Sequence, residues 1–228
     1  RKISALNYKV SKRKLPVIIM CETEADGIRA RNRLMEVTEK DVLAMQHGQI
    51  IVGDYYFRCF VTRSQKKDYL KTKRYMTITL TLVSDFPFWV KETKTVDTAG
   101  KNFDYNNDYP YDYFNGMGSR KLNNTGFADE NFRMIIYGKA SNPAVYVSGH
   151  LYQVDCEVAE GEYLTIDSVK KKVTLTANDG TEINAFNMRN RDSYVFEKIA
   201  PGQHSIMWDG EFGIDIILLE ERSEPKWI

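Results

Sequence analysis

From Phe132 onward the chain is cut into short apolar runs by turn residues, with no helical spacing between them. The runs are Phe132–Tyr137, Val145–Ser148, Tyr152–Val158, Tyr163–Asp167, Lys172–Thr176, Ser193–Phe196, Ser205–Trp208 and Gly213–Leu219. Pro143, Gly161-Glu162, Asn178-Asp179-Gly180, Pro201-Gly202 and Asp209-Gly210 punctuate them. Strands this short can bury an apolar face only by stacking in sheets, so the pattern predicts an antiparallel β-sandwich.

The first half reads differently, as strands around one helix. Thr23 is placed to cap the helix, and Glu24 and Asp26 in its first turn suit the helix dipole. Ile28, Met35 and Val42 recur every seven residues, Leu34 and Met45 widen the stripe, and Gly48 is the expected stop. Leu15–Cys21 is a short apolar run, and Gly48–Gly53 with Tyr55–Thr62 forms a strand pair around Gly53-Asp54. Tyr75–Val83 alternates Met76, Ile78, Leu80 and Leu82 with three threonines, a half-buried strand. Its threonine face either lines a junction or is wholly core.

The fold class is therefore mainly β: an N-terminal β domain with one α-helix, then a C-terminal antiparallel β-sandwich. Boundaries are expected at 1–92, a linker at 93–130 and the sandwich at 131–228. Charge supports two domains, since residues 1–90 carry 17 Lys/Arg against 9 Asp/Glu and the remainder carries 15 against 22. Arg1 is not a start Met, which reads as numbering that begins inside a longer chain.

Several function classes drop out. The net charge of +1 argues against a globally basic nucleic-acid binder. No apolar run approaches the length of a membrane-spanning helix. Cys21, Cys59 and Cys156 have neither disulfide nor zinc spacing and read as buried reduced thiols. His47, His150 and His204 stand in separate segments outside any metal motif, and no nucleophile elbow or phosphate-binding loop occurs. The acid pairs Asp129-Glu130 and Glu220-Glu221 read as solvated surface rather than a catalytic pair. No catalytic, metal-binding or cofactor-binding residue is expected, and no cofactor.

Two segments invite contact with other molecules. The basic connector Arg63, Lys66, Lys67, Lys71, Lys73 and Arg74, with Tyr69, lies between two strands. It has no stacking platform or recognition helix beside it, so a solvated hairpin arm, or a charged contact with an acidic neighbour, explains it better than specific nucleic-acid binding. Phe103–Phe114 carries six aromatics in twelve residues. Tyr105, Tyr109, Tyr111 and Tyr113 are read as anchors of the linker. Tyr194 and Trp208 are possible sugar platforms, although Trp208 shares a face with Ile206 and reads as core.

The order of motifs resembles one family. Ile78–Val90 (ITLTLVSDFPFWV) is similar to the end of the N-terminal domain of phage distal tail proteins. The Tyr-Pro run Asp108–Tyr113 resembles a linker in relatives from phages and prophages of Gram-positive bacteria. Phe132–Val154, Gly161–Leu175 and Phe196–Trp227 resemble successive parts of the second domain. Together they cover about the whole chain.

The resemblance implies a structural, non-enzymatic protein at the tail tip of a virion or tail-like particle, assembled in the bacterial cytoplasm. In that family six copies close into a ring through the N-terminal domain, with an arm clasping the neighbour. The C-terminal domain is galectin-like, or similar to a carbohydrate-binding module, and projects outward. The implied partners are further copies of the chain, the tail tube protein, the tail-associated protein or central fibre, and receptor-binding proteins. No membrane partner is implied. A monomeric cell-wall glycan-binding module is the alternative, and another tail-tip component with this domain pair is a close variant.

Overall fold

A computed structural model describes residues 10–66, 74–97 and 120–226. The chain divides into two compact units, 1–90 with 222–228, and 91–221. The architecture is mainly β, as the sequence implies.

In the first unit the order is β1 (Ser11–Met20), α1 (Glu24–Leu43), β2 (Gly48–Val52), β3 (Tyr55–Lys66) and β4 (Tyr75–Ser84). A further strand, β5 (Trp89–Asp97), begins here with Val90 opposite Tyr56. All pairing is antiparallel. β1 pairs β4, β4 pairs the far part of β3, and β2 pairs the near part of β3. β3 changes register between Val61 and Arg63, where one extra residue forms a bulge.

The alternation in β4 divides its faces as expected. Met76, Ile78, Leu80 and Leu82 are buried with Phe57 and Cys59. Leu15, Val17 and Ile19 from β1, and Leu34 and Met35 from α1, pack onto them. Thr77, Thr79 and Thr81 stand half-buried on the opposite face, so the strand is not wholly core.

The helix departs from its expected packing. Thr23 does cap it, accepting the Asp26 N–H at 3.2 Å. Of the expected stripe, Leu34 and Met35 meet the core, whereas Val42 and Met45 are exposed. Gly48 is not its stop. α1 ends at Leu43, and Met45 takes the left-handed conformation (φ 53°). Met45 N–H donates to Val42 O and Gln46 N–H to Asp41 O, which closes the last carbonyls in a Schellman arrangement with Met where Gly is usual. Gly48 instead opens β2, where a Cβ would fall 2.1 Å from the Asp41 carboxylate.

The second unit contains the rest of β5, then β6 (Arg120–Asn124), β7 (Asn131–Tyr137), β8 (Ala140–Ser141), β9 (Ala144–Val147) and β10 (His150–Gln153). It continues with β11 (Glu157–Val158), β12 (Tyr163–Asp167), β13 (Lys172–Thr176), β14 (Glu182–Asn184), β15 (Gly202–Met207) and β16 (Ile214–Arg222). One sheet orders β5, β16, β7, β12, β13 and β14, and the other orders β10, β9, β15 and β6. A core including Leu122, Phe132, Met134, Ile136, Val145, Tyr152, Leu164, Ile166, Ile206 and Trp208 joins them. Trp208 is core as expected, with Nε1 donating to Phe212 O at 3.0 Å.

Motif residues have local reasons. Asp167 accepts the N–H groups of Val169 and Lys170 at 3.0 and 2.9 Å, which caps the turn into β13. Asn142 takes φ 47° just before Pro143, a conformation asparagine tolerates better than most residues. Gly138 lies against the Ala159 backbone, and Gly202 and Gly210 take positive φ at the two late turns.

Three further sequence readings need correction. Within 93–130, expected as linker, β5 runs on to Asp97 and β6 pairs β15. Ser193–Phe196 is not a strand. Side chains hold it as a loop: Ser193 Oγ donates to Leu151 O, His150 Nε2 bonds Tyr194 O, and Tyr152 Oη donates to Glu197 O. Only Val195 and Phe196 from it enter the core. The acid pairs are not simply solvated, because Glu130 and Glu220 are each only 8% exposed.

Candidate assembly surfaces

The basic connector begins where β3 leaves the core. Beyond the bulge, Arg63 lies opposite Thr81 on the outer face, and Lys66 closes the ladder opposite Ile78. Both are exposed. At the far base Arg74 is exposed, and its carbonyl accepts the Cys21 N–H at 3.0 Å. Arg63, Lys66 and Arg74 therefore stand at the root of one β3–β4 hairpin. Lys67, Tyr69, Lys71 and Lys73 lie outside the described residues, as do the linker tyrosines Tyr105, Tyr109, Tyr111 and Tyr113.

Exposed apolar side chains concentrate in the first unit. Ile18 and Met20 on β1 are 62% and 82% exposed, and Ile51 on β2 is 68% exposed. Leu43 and Met45 follow at the end of α1. Periodicity places Met45 in the apolar stripe of the helix and so misses it as surface, while Ile18, Met20 and Ile51 lie in runs read only as strands. The available signal is the crowding of apolar residues in a unit whose described residues form a single 20-residue helix.

Groups that could do chemistry are tied up structurally. His47 Nε2 lies 3.2 Å from Asp85 Oδ1, with its ring 4.4 Å from that of Phe60. His204 bridges Ala200 O at 2.7 Å and Ser148 Oγ at 2.9 Å. Cys59 and Cys156 are buried free thiols and Cys21 is half-buried. Burial pushes the Cys59 thiol up to about 11, away from nucleophilic use. No cluster of metal-ligating side chains occurs among the described residues. No helix among them is long and apolar enough to cross a membrane.

Asp215 is the most deeply buried charged group among the described residues of the second unit. Asp215 on β16 is 2% exposed, and its Oδ2 receives Tyr137 Oη at 2.6 Å and Lys94 Nζ at 2.7 Å. The hydrogen bond to Asp215, then partial desolvation, raises the Tyr137 phenol from its usual 10.0 to about 12. A phenol raised on folding stays protonated longer in the folded protein. Its contribution to stability is complete below pH 10 and is lost as pH rises from 10 to 12. In a tyrosinate absorbance titration Tyr137 should ionise after the exposed tyrosines. Asp215→Asn should return Tyr137 toward the ordinary range and leave Tyr152, whose phenol is also raised by burial, as a late step; late ionisation of undiminished amplitude would contradict this assignment.

Beside Tyr194, 52% exposed, Lys171 Nζ sits 5.1 Å from the ring centre. That cation occupies one approach to the ring.

The sequence matches no protein-family model and no curated protein. Solved structures do match. The Dit protein of phage SPP1, described as a paradigm of the hub adsorption apparatus in phages that infect Gram-positive bacteria, aligns with TM-score 0.54 and 12% identity. The alignment covers 97% of this chain and 86% of that one. The baseplate of phage P2 in its activated conformation, once with calcium and once with strontium, aligns with TM-score 0.54 and 12% identity, covering 94% of this chain and 80% of the other. The chain has the fold of a phage Dit hub protein. The Dit-like fold spans both units, so the family resemblance seen in the order of motifs is met in three dimensions.

Proposed function

We propose that the chain is a structural distal tail protein of a phage, prophage or tail-like particle, with six copies forming a ring at the end of the tail tube. The observation that carries this is the Dit-like fold over 97% of the chain. The N-terminal domain, 1–92, builds the ring. The second unit, a galectin-like sandwich that includes β6 as one of its strands, projects outward. The ring joins the tube to the tail-associated protein or central fibre and carries receptor-binding proteins. Thr77, Thr79 and Thr81 offer short uncharged side chains suited to a channel wall. The protein works at the virion tail tip and makes or breaks no bonds.

A ring of identical subunits needs two unlike, complementary patches on each copy. The arm of Arg63, Lys66, Lys67, Tyr69, Lys71, Lys73 and Arg74 supplies one of them by reaching the neighbouring subunit. Replacing Lys66, Lys67, Lys71 and Lys73 by Ser should weaken assembly roughly tenfold or more at low salt, the loss shrinking as salt screens the charges. Native mass spectrometry reads the outcome, and a full ring mass from the quadruple variant excludes the arm. Six-fold rings with a central opening in negative-stain images test the wider proposal. A strict monomer that binds glycans would replace it with the glycan-module reading. Trp208, one of the two platforms for that reading, is buried in the core.

A further inference from the structure

Among the described residues, the outer edges of β1 and β2 in the first unit pair no other strand: β1 pairs only β4, and β2 pairs only β3. In an antiparallel ladder the N–H and C=O of one residue point both toward the partner strand or both away, alternating along the chain. The direction on β1 is fixed by Cys21, whose N–H donates to Arg74 O one pair beyond Met20 opposite Tyr75. Odd-numbered residues therefore bond β4. Lys12, Lys14, Pro16, Ile18 and Met20 turn their backbone to the open edge. Pro16, with no N–H to give, sits where β4 asks for none.

The direction on β2 follows from its turn. Gly53-Asp54 is a two-residue turn with Gly53 at φ 58°, closing on Val52 opposite Tyr55. Turns of this kind close on a hydrogen-bonded pair. Val52, Ile50 and Gly48 thus bond β3, while Ile51 and Gln49 face outward.

Edge strands are normally guarded by lysine or proline against pairing with other chains. On β1 that guard is confined to the first half, at Lys12, Lys14 and Pro16. The second half presents Ile18 and Met20, both largely exposed, with no guard. β2 has neither charge nor proline from Gly48 to Val52. The two unguarded lengths match. Antiparallel alignment sets Ile18 against Ile51 and Met20 against Gln49, with about four backbone hydrogen bonds. In that register Pro16 falls opposite Gly53, where β2 has ended, and Lys14 comes alongside the turn that carries Asp54.

We propose that the open edge of β1 in one copy pairs with the open edge of β2 in the next copy of this chain. The two edges are unlike, so the contact is head-to-tail and can propagate around a ring. This rests on the ring reading above and names the surface that closes it.

Proline on an outward amide tests the proposal, because the intrachain ladder does not use that N–H. Ile18→Pro and Ile51→Pro should keep the far-ultraviolet circular dichroism of the wild type. Each should raise the concentration at which rings half-dissociate by about tenfold or more, read by light scattering after size exclusion. The double variant Ile18→Cys/Ile51→Cys should form covalent multimers on oxidation, whereas Ile18→Cys alone should not. Rings of unchanged stability from folded proline variants, or no multimers from the double cysteine, overturn the edge pairing while the ring reading stands. Covalent dimers from Ile18→Cys alone overturn it in favour of like edges meeting. A wild type that stays monomeric overturns both readings. Should a proline variant lose its strand signal, the cysteine result decides alone.

Discussion

Gly138→Ala is expected to destabilise the second unit by about 3 kcal/mol or more. A Cβ at Gly138 would lie 1.8 Å from the carbonyl oxygen of Ala159 and 2.7 Å from its carbon, both backbone atoms. Ala159 cannot easily withdraw. Its N–H donates to Glu162 Oε2, and its carbonyl accepts the Glu162 N–H at 3.1 Å. Gly138 itself donates to Glu162 O at 2.9 Å, so the new methyl would push against the contact that holds both loops. Urea denaturation measures the cost, and a midpoint equal to the wild type would show that the loop yields.

Phe132→Ala should cost a comparable amount, about 3–5 kcal/mol. Phe132 is fully buried on β7 and meets the Tyr152 ring edge-on at 5.2 Å, which ties the two sheets of the second unit together. Tyr152 is fixed by its hydrogen bond to Glu197 O, and Phe132 N–H donates to Ser168 Oγ at 2.8 Å. With both neighbours held, the space left by the ring has little chance to close. Phe132→Leu should lose much less. A cost below about 1 kcal/mol for the alanine variant would mean that the sheets collapse onto the gap.

What could be read in advance followed from how local each signal was. β4 and β13 were legible because strict alternation or a paired turn fixes a strand without reference to distant chain. The Gly53-Asp54 hairpin was legible because the turn specifies its own closing pair. β5 and β6 gave no such signal. Lys91–Asp97 and Arg120–Asn124 are mostly polar, and they become strands only through partners far along the chain, such as β15 for β6. The Ser193–Phe196 loop failed for the opposite reason. Its apolar residues resemble a strand, but hydrogen bonds to distant chain hold it as a loop: His150 Nε2 bonds Tyr194 O, Ser193 Oγ donates to Leu151 O, and Tyr152 Oη donates to Glu197 O just beyond.

The candidate surfaces were legible only as charge. The arm residues stood out by composition, whereas the outward direction of the Ile18 and Ile51 amides depends on ladder parity. Parity is set by a proline, a turn and one hydrogen bond at the end of β1. The stripe on α1 misled because an apolar period does not say how wide a face its sheet can cover. Leu34 and Met35 find that sheet, and Val42 does not.

The register shift in β3 limits how lineages carrying this arm can change it. Phe57, Cys59 and Val61 point to the core at alternate positions, and only the additional residue before Arg63 swings that guanidinium to the outer side. Deleting one residue between Arg63 and Lys66 would shift Lys66 from opposite Ile78 to opposite Thr79 and exchange the faces of every residue after the deletion. Viable length changes inside the paired part should therefore come two at a time and be matched in β4, while single insertions should collect between Lys66 and Tyr75.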